Sequence, residues 1–302
     1  MTAFNVISPL LPEGLVLADE PMARHTSFGI GGPAEVYVTP RNSNEITKVW
    51  KACIEASFKV TVLGKGNNVL VSDDGIKGVV IVTTKMNNIH VDGNYITAGS
   101  GTNLRKLADA AYEASLGEME FASGIPGTVG GAIYMNAGAY KHEIKDICES
   151  VTALYANGEL VTHEKESLAF GYRKSRFQHE DAIITEAKFL LPSKNKDEIK
   201  AKMTNLNGLR RDSQPLDKHS AGSTFKRPKA EGMYAAKMID DCGLKGFTIG
   251  GAQVSEKHAG FVVNIGNATA KDVLSLIEQI QDKVHQATHI WLEPEVQMIG
   301  FN

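Results

Sequence analysis

Between Asn42 and Ser57 the apolar residues Ile46, Val49, Trp50, Cys53 and Ile54 recur at three- and four-residue steps, the spacing that lines one face of an α-helix. Asn42 followed by Glu45 fits a capping box, so the pattern predicts a helix over 42–57. The period then shortens. Apolar, β-branched runs at 59–63, 69–72, 79–83 and 95–98, separated by Gly, Asn and Asp, predict strands. Helical spacing returns at Leu104, Leu107, Ala108 and Ala111, with Thr102 as the predicted cap, Ser115 as the last residue and Gly117 just beyond it.

The second half repeats this mixture. Runs at 148–155 and 159–163 flank Asn157-Gly158, a strong hairpin signal. A strand over 181–191 ends at Pro192, and the charged helix over 193–213 is a candidate hinge between domains. Further on, the pattern predicts a helix near 232–241, strands near 252–254 and 261–265, a helix over 269–286 capped by Thr269 and Asp272, and a last strand over 291–299. Helices and strands mix without the steady alternation of a doubly wound sheet, so the expected class is α+β.

One stretch fits neither period. GIPGTVGGAIYMNAGAY, from Gly124 to Tyr140, holds Gly124, Gly127, Gly130, Gly131 and Gly138 around one proline and carries no charge. A packed helix or strand disfavours so many glycines, whereas glycine lets backbone N–H groups come close to a pyrophosphate. A second glycine loop, Gly64-Lys65-Gly66-Asn67-Asn68-Val69-Leu70, lies about sixty residues upstream. The formal G-x-G-x-x-A match at Gly29–Ala34 leads into the strand-like EVYVTP, where a Rossmann fingerprint needs a helix, and no G-x-x-x-x-G-K-[ST] occurs.

Composition narrows the partners. The 302 residues, with 42% hydrophobic and 22% charged, suffice for two or three folded domains. A formal net charge of −3 gives no basic footprint for nucleic acid. The run of residues at the start lacks a basic segment followed by a long apolar core, and the apolar runs elsewhere fall short of a membrane span. Cys53, Cys148 and Cys242 form no CxxC pair and read as reduced, buried thiols of a cytoplasmic protein. No HExxH or paired CxxC suggests a metal. The oligomeric state stays open, a monomer included.

Taken together, GKGNNVLVSD and SGIPGTVGGAIYMNAGAY resemble the flavin-binding half of the vanillyl-alcohol-oxidase type, and more narrowly the UDP-N-acetylenolpyruvoylglucosamine reductase family. The resemblance extends through FGYRKSRF at 170–177, AGSTFKRP at 221–228 and LEPEV at 292–296, in that order. It implies FAD-binding lobes over 1–84 and 85–196 and a C-terminal substrate-binding domain over 197–302. FAD would be held by Gly64, Lys65, Gly66, Asn67, Asn68, Val69 and Leu70 and by Gly124, Ile125, Pro126, Gly127, Thr128, Gly130, Gly131, Ala132 and Asn136. NADPH is the implied reductant, and the implied substrate is an enolpyruvyl UDP-sugar of peptidoglycan precursor synthesis. The absence of an insertion around 178–200 matches the shorter of the family's two subtypes.

Three residues match the family's reacting positions: Arg173 in GYRKSRF, Ser223 in AGSTFKRP and Glu295 in LEPEV. A guanidinium suits the carboxylate of the substrate, a serine held against a carbanion can protonate it, and the glutamate organises the enol. Tyr172 and Arg227 are the implied substrate contacts. Alternatives stay open on the residues alone: Arg176 competes with Arg173, and Glu293 shares a strand face with Glu295. Ser223 reads equally as a loop serine, while Lys257 and His258 are further candidates facing the substrate. Two other functions fit part of the pattern, a different flavin oxidase and a sugar-nucleotide-binding regulator.

Overall fold

In the computed structural model, which describes residues 2–229 and 232–301, the first predicted helix forms as Ser43–Glu55. Asn42 accepts the Glu45 N–H at 3.0 Å as expected. The Glu45 carboxylate does not complete the box. It turns to the backbone N–H and guanidinium of Arg41, because a charge-assisted pair outcompetes a single amide donor. The next helix is Leu104–Glu113, and its cap is Asn103 instead of Thr102, whose hydroxyl donates to the Asn88 carbonyl at 3.1 Å. The Thr269–Asp272 capping box is present and starts the helix Ala270–Thr288.

The chain divides into two compact units, each assembled from separated segments. The first takes residues up to Ala18, Val36–Lys65 and Gly78–Arg210. Its strands build a sheet in the order 16–18, 36–38, 78–82, 60–63. A five-stranded antiparallel sheet runs Leu160–Glu164, Cys148–Tyr155, Ala182–Leu190, Tyr95–Gly99, Ile89–Asp92. Two cores result, one around Ile7, Ile46, Trp50 and Val79, the other around Leu104, Phe121, Ile133 and Phe189. Burial pushes the Cys53 thiol up to about 11 and Cys148 up to about 12, so both are inert packing residues. Cys242, expected buried as well, is half-buried.

The second unit takes Asp19–Glu35, Gly66–Lys77 and the chain from Arg211 onward. Its sheet runs His219–Ser220, Val262–Asn264, Ala252–Val254, Thr248–Ile249 and packs with Ala270–Thr288. A parallel pair joins Val69–Val71 to Gln297–Ile299. The last strand is shorter than the expected 291–299 because Pro294 lacks an N–H for a ladder. The helix expected as a hinge, Lys196–Ser213, buries Ile199 and Met203 in the second core of the first unit, and the unit boundary falls in its last turn.

Candidate active site

In the first unit the glycine-rich stretch is partly helical, contrary to the expectation of a loop: Val129–Tyr134 forms a short helix containing Gly130 and Gly131. The Val129 and Gly130 N–H groups donate to the carbonyls of Thr102 and Ser100, at 2.9 and 2.8 Å, so neither is left to face a phosphate. Hydroxyls face inward in their place. Thr128 Oγ1 and Ser100 Oγ are both buried without a hydrogen-bond partner, a condition that costs about 1–3 kcal/mol per group unless a ligand satisfies it. A Cβ on Gly64 would lie 2.1 Å from Thr128 Oγ1, so glycine is what allows the two loops to meet. Gly127 sits at φ +142°, where a side chain is strained, with open space beside it.

Some residues assigned to the cofactor also have packing or hydrogen-bonding roles. Ala132 is a core residue of the first unit, and Leu70 one of the second. The Asn136 side chain is fully buried: its Nδ2 donates to the Gly171 carbonyl and Glu143, and its Oδ1 accepts the Lys145 N–H. These bonds fix the orientation of the amide, so any contact it makes with a cofactor would have to keep them or replace them.

Asn136 leads to Arg173. Residues 171–174 form a turn closed by reciprocal hydrogen bonds between Gly171 and Lys174, 3.1 Å each, with Arg173 at φ +56° in the position where glycine is usual. An arginine there costs roughly 1–2 kcal/mol, and such outliers persist only where neighbours hold them. The guanidinium carbon lies 5.1 Å from the centre of the exposed Tyr172 ring. Arg176, the competitor, is bound to Glu180 through two nitrogens and to the Ser167 carbonyl. That pairing is its structural employment.

In the second unit, the segments that carry Ser223 and Glu295 are paired through their backbones. The Glu295 N–H donates to the Thr224 carbonyl and the Lys226 N–H to the Glu293 carbonyl, both at 2.8 Å. Ser223 is exposed, whereas Thr224 beside it is buried. Asn68 Nδ2 donates to the Glu295 carbonyl at 3.2 Å and Gln297 Nε2 to the same oxygen at 3.1 Å. Asn68 therefore braces the glutamate's backbone, while Asn67 Oδ1 is buried without a partner. Glu293 is exposed and ion-paired with Lys226. Arg227 stacks over Tyr234 at 4.2 Å. Lys257 donates to the Arg211 carbonyl, and His258 Nδ1 accepts the Gly260 N–H, so both have structural partners.

Known proteins are similar to this chain over nearly its whole length. A family model described as the UDP-N-acetylenolpyruvoylglucosamine reductase C-terminal domain matches residues 214–299, and an FAD binding domain model matches 34–164. The UDP-N-acetylenolpyruvoylglucosamine reductase of Caldanaerobacter subterraneus subsp. tengcongensis is 46% identical over 97% of this chain and 97% of its own. The chain belongs to this reductase family. The Agathobacter rectalis reductase is 48% identical, covering 99% of this chain and 98% of that one. The crystal structure of the Thermus caldophilus reductase superposes with a TM-score of 0.80 at 34% identity, covering 94% of this chain and 98% of that one. Membership makes the chain an FAD-containing oxidoreductase of α+β class.

The residues present fit FAD. The buried, unpartnered hydroxyls of Ser100 and Thr128 are donors suited to phosphate oxygens, and Gly127, next to Thr128, has open space beside it. Ser100 was missed on sequence, although Gly99-Ser100-Gly101 is itself a small glycine turn. Gln178 and Asn207 were missed too. Asn207 donates to Ser123 Oγ at 3.1 Å, and a Cβ on Gly124 would lie 2.5 Å from its Oδ1. Their helical and loop positions carry no sequence signal of such contacts. Among the described residues, no group of three or more His, Cys, Asp or Glu could hold a metal ion, and no helix is long and apolar enough to cross a membrane.

Two histidines of the fold are shifted toward their neutral form. Burial pushes His258 below the ordinary histidine range, and burial followed by the Arg176 charge does the same to His163. A depressed folded pKa means that the unfolded chain binds more protons, so this stability is full above about pH 6.5 and is lost as pH falls through the folded values. Thermal denaturation followed from pH 7.5 to 5.5 is expected to show a falling Tm, with a shallower fall in His258→Gln. Carboxylates held low by partners, such as Glu180 beside Arg176, add their own losses only below about pH 4.5.

Proposed function

We propose that this chain reduces UDP-N-acetyl-3-O-(1-carboxyvinyl)-glucosamine to UDP-N-acetylmuramate with NADPH, in the cytoplasm, as a step of peptidoglycan precursor synthesis. Family membership across 97% of the chain is the observation that carries the reading. Cytoplasmic placement is supported by three cysteines without a CxxC pair. The division of labour proposed is FAD-binding lobes over 1–84 and 85–196 and a substrate-binding part over 197–302, with no nucleic acid or membrane as partner.

Bound FAD supplies the hydride, taken from NADPH, to the vinyl CH₂ carbon of the substrate. Ser100 and Thr128 would hold its pyrophosphate. Adding hydride to the CH₂ carbon leaves an electron pair on the adjacent carbon, delocalised into the carboxylate. The Arg173 guanidinium binds that carboxylate through two nitrogens and is stabilising most when the charge is greatest. Ser223 Oγ–H gives its proton to the adjacent carbon, which completes the lactyl ether. Glu295 polarises the enol and organises its protons, the serine regains its proton from solvent, and Tyr172 and Arg227 contact the sugar nucleotide.

The test is NADPH oxidation by the purified flavoprotein with and without the enolpyruvyl sugar nucleotide. Consumption only in its presence, with stoichiometric UDP-N-acetylmuramate, is the expected result. Oxygen-dependent turnover of an alcohol without NADPH would point to the rival oxidase, and absence of flavin absorbance to the regulator.

A further inference from the structure

We infer that Gln178 and Asn136 are positioning residues that set the Arg173 guanidinium relative to the flavin bed. The inference rests on the role proposed for Arg173 above. The turn that carries Arg173 has two outward-facing carbonyl ties, and each is taken by one side-chain amide. Gln178 Nε2 donates to the Arg173 carbonyl at 2.9 Å, and Asn136 Nδ2 donates to the Gly171 carbonyl at 2.9 Å. With Arg173 at φ +56°, the turn needs such ties, because the conformation is disfavoured for a side chain of this size.

Both ties lead to the same place. Gln178 Nε2 also donates to the Tyr134 carbonyl at 2.9 Å, and Ser175 Oγ donates to that oxygen at 2.9 Å. Tyr134 is the last residue of the glycine helix that begins beside Thr128, and Asn136 follows two residues later. The Lys145 N–H fixes the other end of the Asn136 amide at 2.9 Å. Thus one short helix carries the unpartnered Thr128 hydroxyl at its start and holds the Arg173 turn at its end. The amide of Gln178 has two N–H donors and gives them to two carbonyls, one on each segment, so no shorter or donor-free side chain can replace it.

A side chain that only stabilised the fold would affect both half-reactions, or neither. The clamp predicts a split. Gln178→Met keeps the volume and removes both donors. In the FAD-loaded protein, reduction of the flavin by NADPH should proceed as in the wild type, and transfer to the enolpyruvyl sugar nucleotide should slow about ten- to hundredfold, the usual penalty of a small misplacement. In an Arg173→Ala background the same change should slow that step no further, because the group it positions is gone. Limited trypsin digestion gives a readout independent of activity: the Arg173–Lys174 bond, whose carbonyl Gln178 holds, should be cut about tenfold faster in Gln178→Met. Gln178→Glu, which preserves shape and loses the donor pair at neutral pH, repeats the test if the methionine variant retains no flavin. A normal second half-reaction in the Gln178 variants, or equal slowing with and without Arg173, overturns the clamp alone. A normal second half-reaction in Arg173→Ala overturns both the clamp and the proposed role of Arg173.

Discussion

Ser223→Ala is expected to lower turnover of the enolpyruvyl sugar nucleotide by about a thousandfold while NADPH still reduces the bound flavin at the wild-type rate, a loss within the usual range for removing a general acid. The side chain is exposed, so its hydroxyl makes no contribution to a packed core. Its neighbour does the structural work. Thr224 donates its N–H to the Gly260 carbonyl at 2.8 Å, accepts the Glu295 N–H at 2.8 Å, and accepts the Val262 N–H on its hydroxyl at 2.9 Å. None of these bonds involves Ser223, which separates the chemical effect of the alanine from any effect on folding. Stopped-flow absorbance of the flavin, monitored first with NADPH and then with the sugar nucleotide, distinguishes the two steps. Ser223→Cys, which keeps a proton donor at the same atom position, should recover part of the lost rate. Equal loss of both steps in the alanine variant would remove Ser223 from the chemistry.

Much of this arrangement was legible in the sequence, because it rests on short-range signals. The Thr269–Asp272 box, the Asn157-Gly158 hairpin and the helix Ser43–Glu55 each follow from residues within a few positions of one another. The motifs holding Arg173, Ser223 and Glu295 were readable as motifs, but their surroundings were not. That Asn136 braces Gly171 across thirty-five positions depends on how the 171–174 turn comes back to the glycine helix, and no local pattern encodes it. The same holds for Asn68, read as a cofactor amide and found on the Glu295 carbonyl 227 residues away. Ser100 differs. Its significance lies in a buried hydroxyl without a partner, which is a property of packing and invisible to spacing. Glu293 and Glu295 were inseparable by strand periodicity, and the Lys226 ion pair of Glu293 was not visible in it.

Arg173→Lys keeps the charge and is nonetheless expected to lower transfer to the enolpyruvyl sugar nucleotide by about a hundredfold, comparable to losing a preorganised donor at a developing anion. An ammonium presents a point charge on a flexible stem, whereas the guanidinium presents two parallel N–H groups to two carboxylate oxygens. Lysine also loses the planar contact over Tyr172, now 5.1 Å from the guanidinium carbon. The backbone ties remain in place, since Gln178 holds the Arg173 carbonyl and Asn136 the Gly171 carbonyl. Thermal stability should therefore shift little, and the first half-reaction with NADPH should not change. Arg176→Lys supplies the contrast. Arg176 bonds Glu180 through its Nε at 3.0 Å and its terminal nitrogen at 2.8 Å, and Glu180 in turn accepts from Tyr155. Breaking that fork should lower Tm and leave the ratio of the two half-reactions as in the wild type. The opposite pattern, a selective loss of the second half-reaction in Arg176→Lys with Arg173→Lys unaffected, would move the carboxylate-binding role from Arg173 to Arg176.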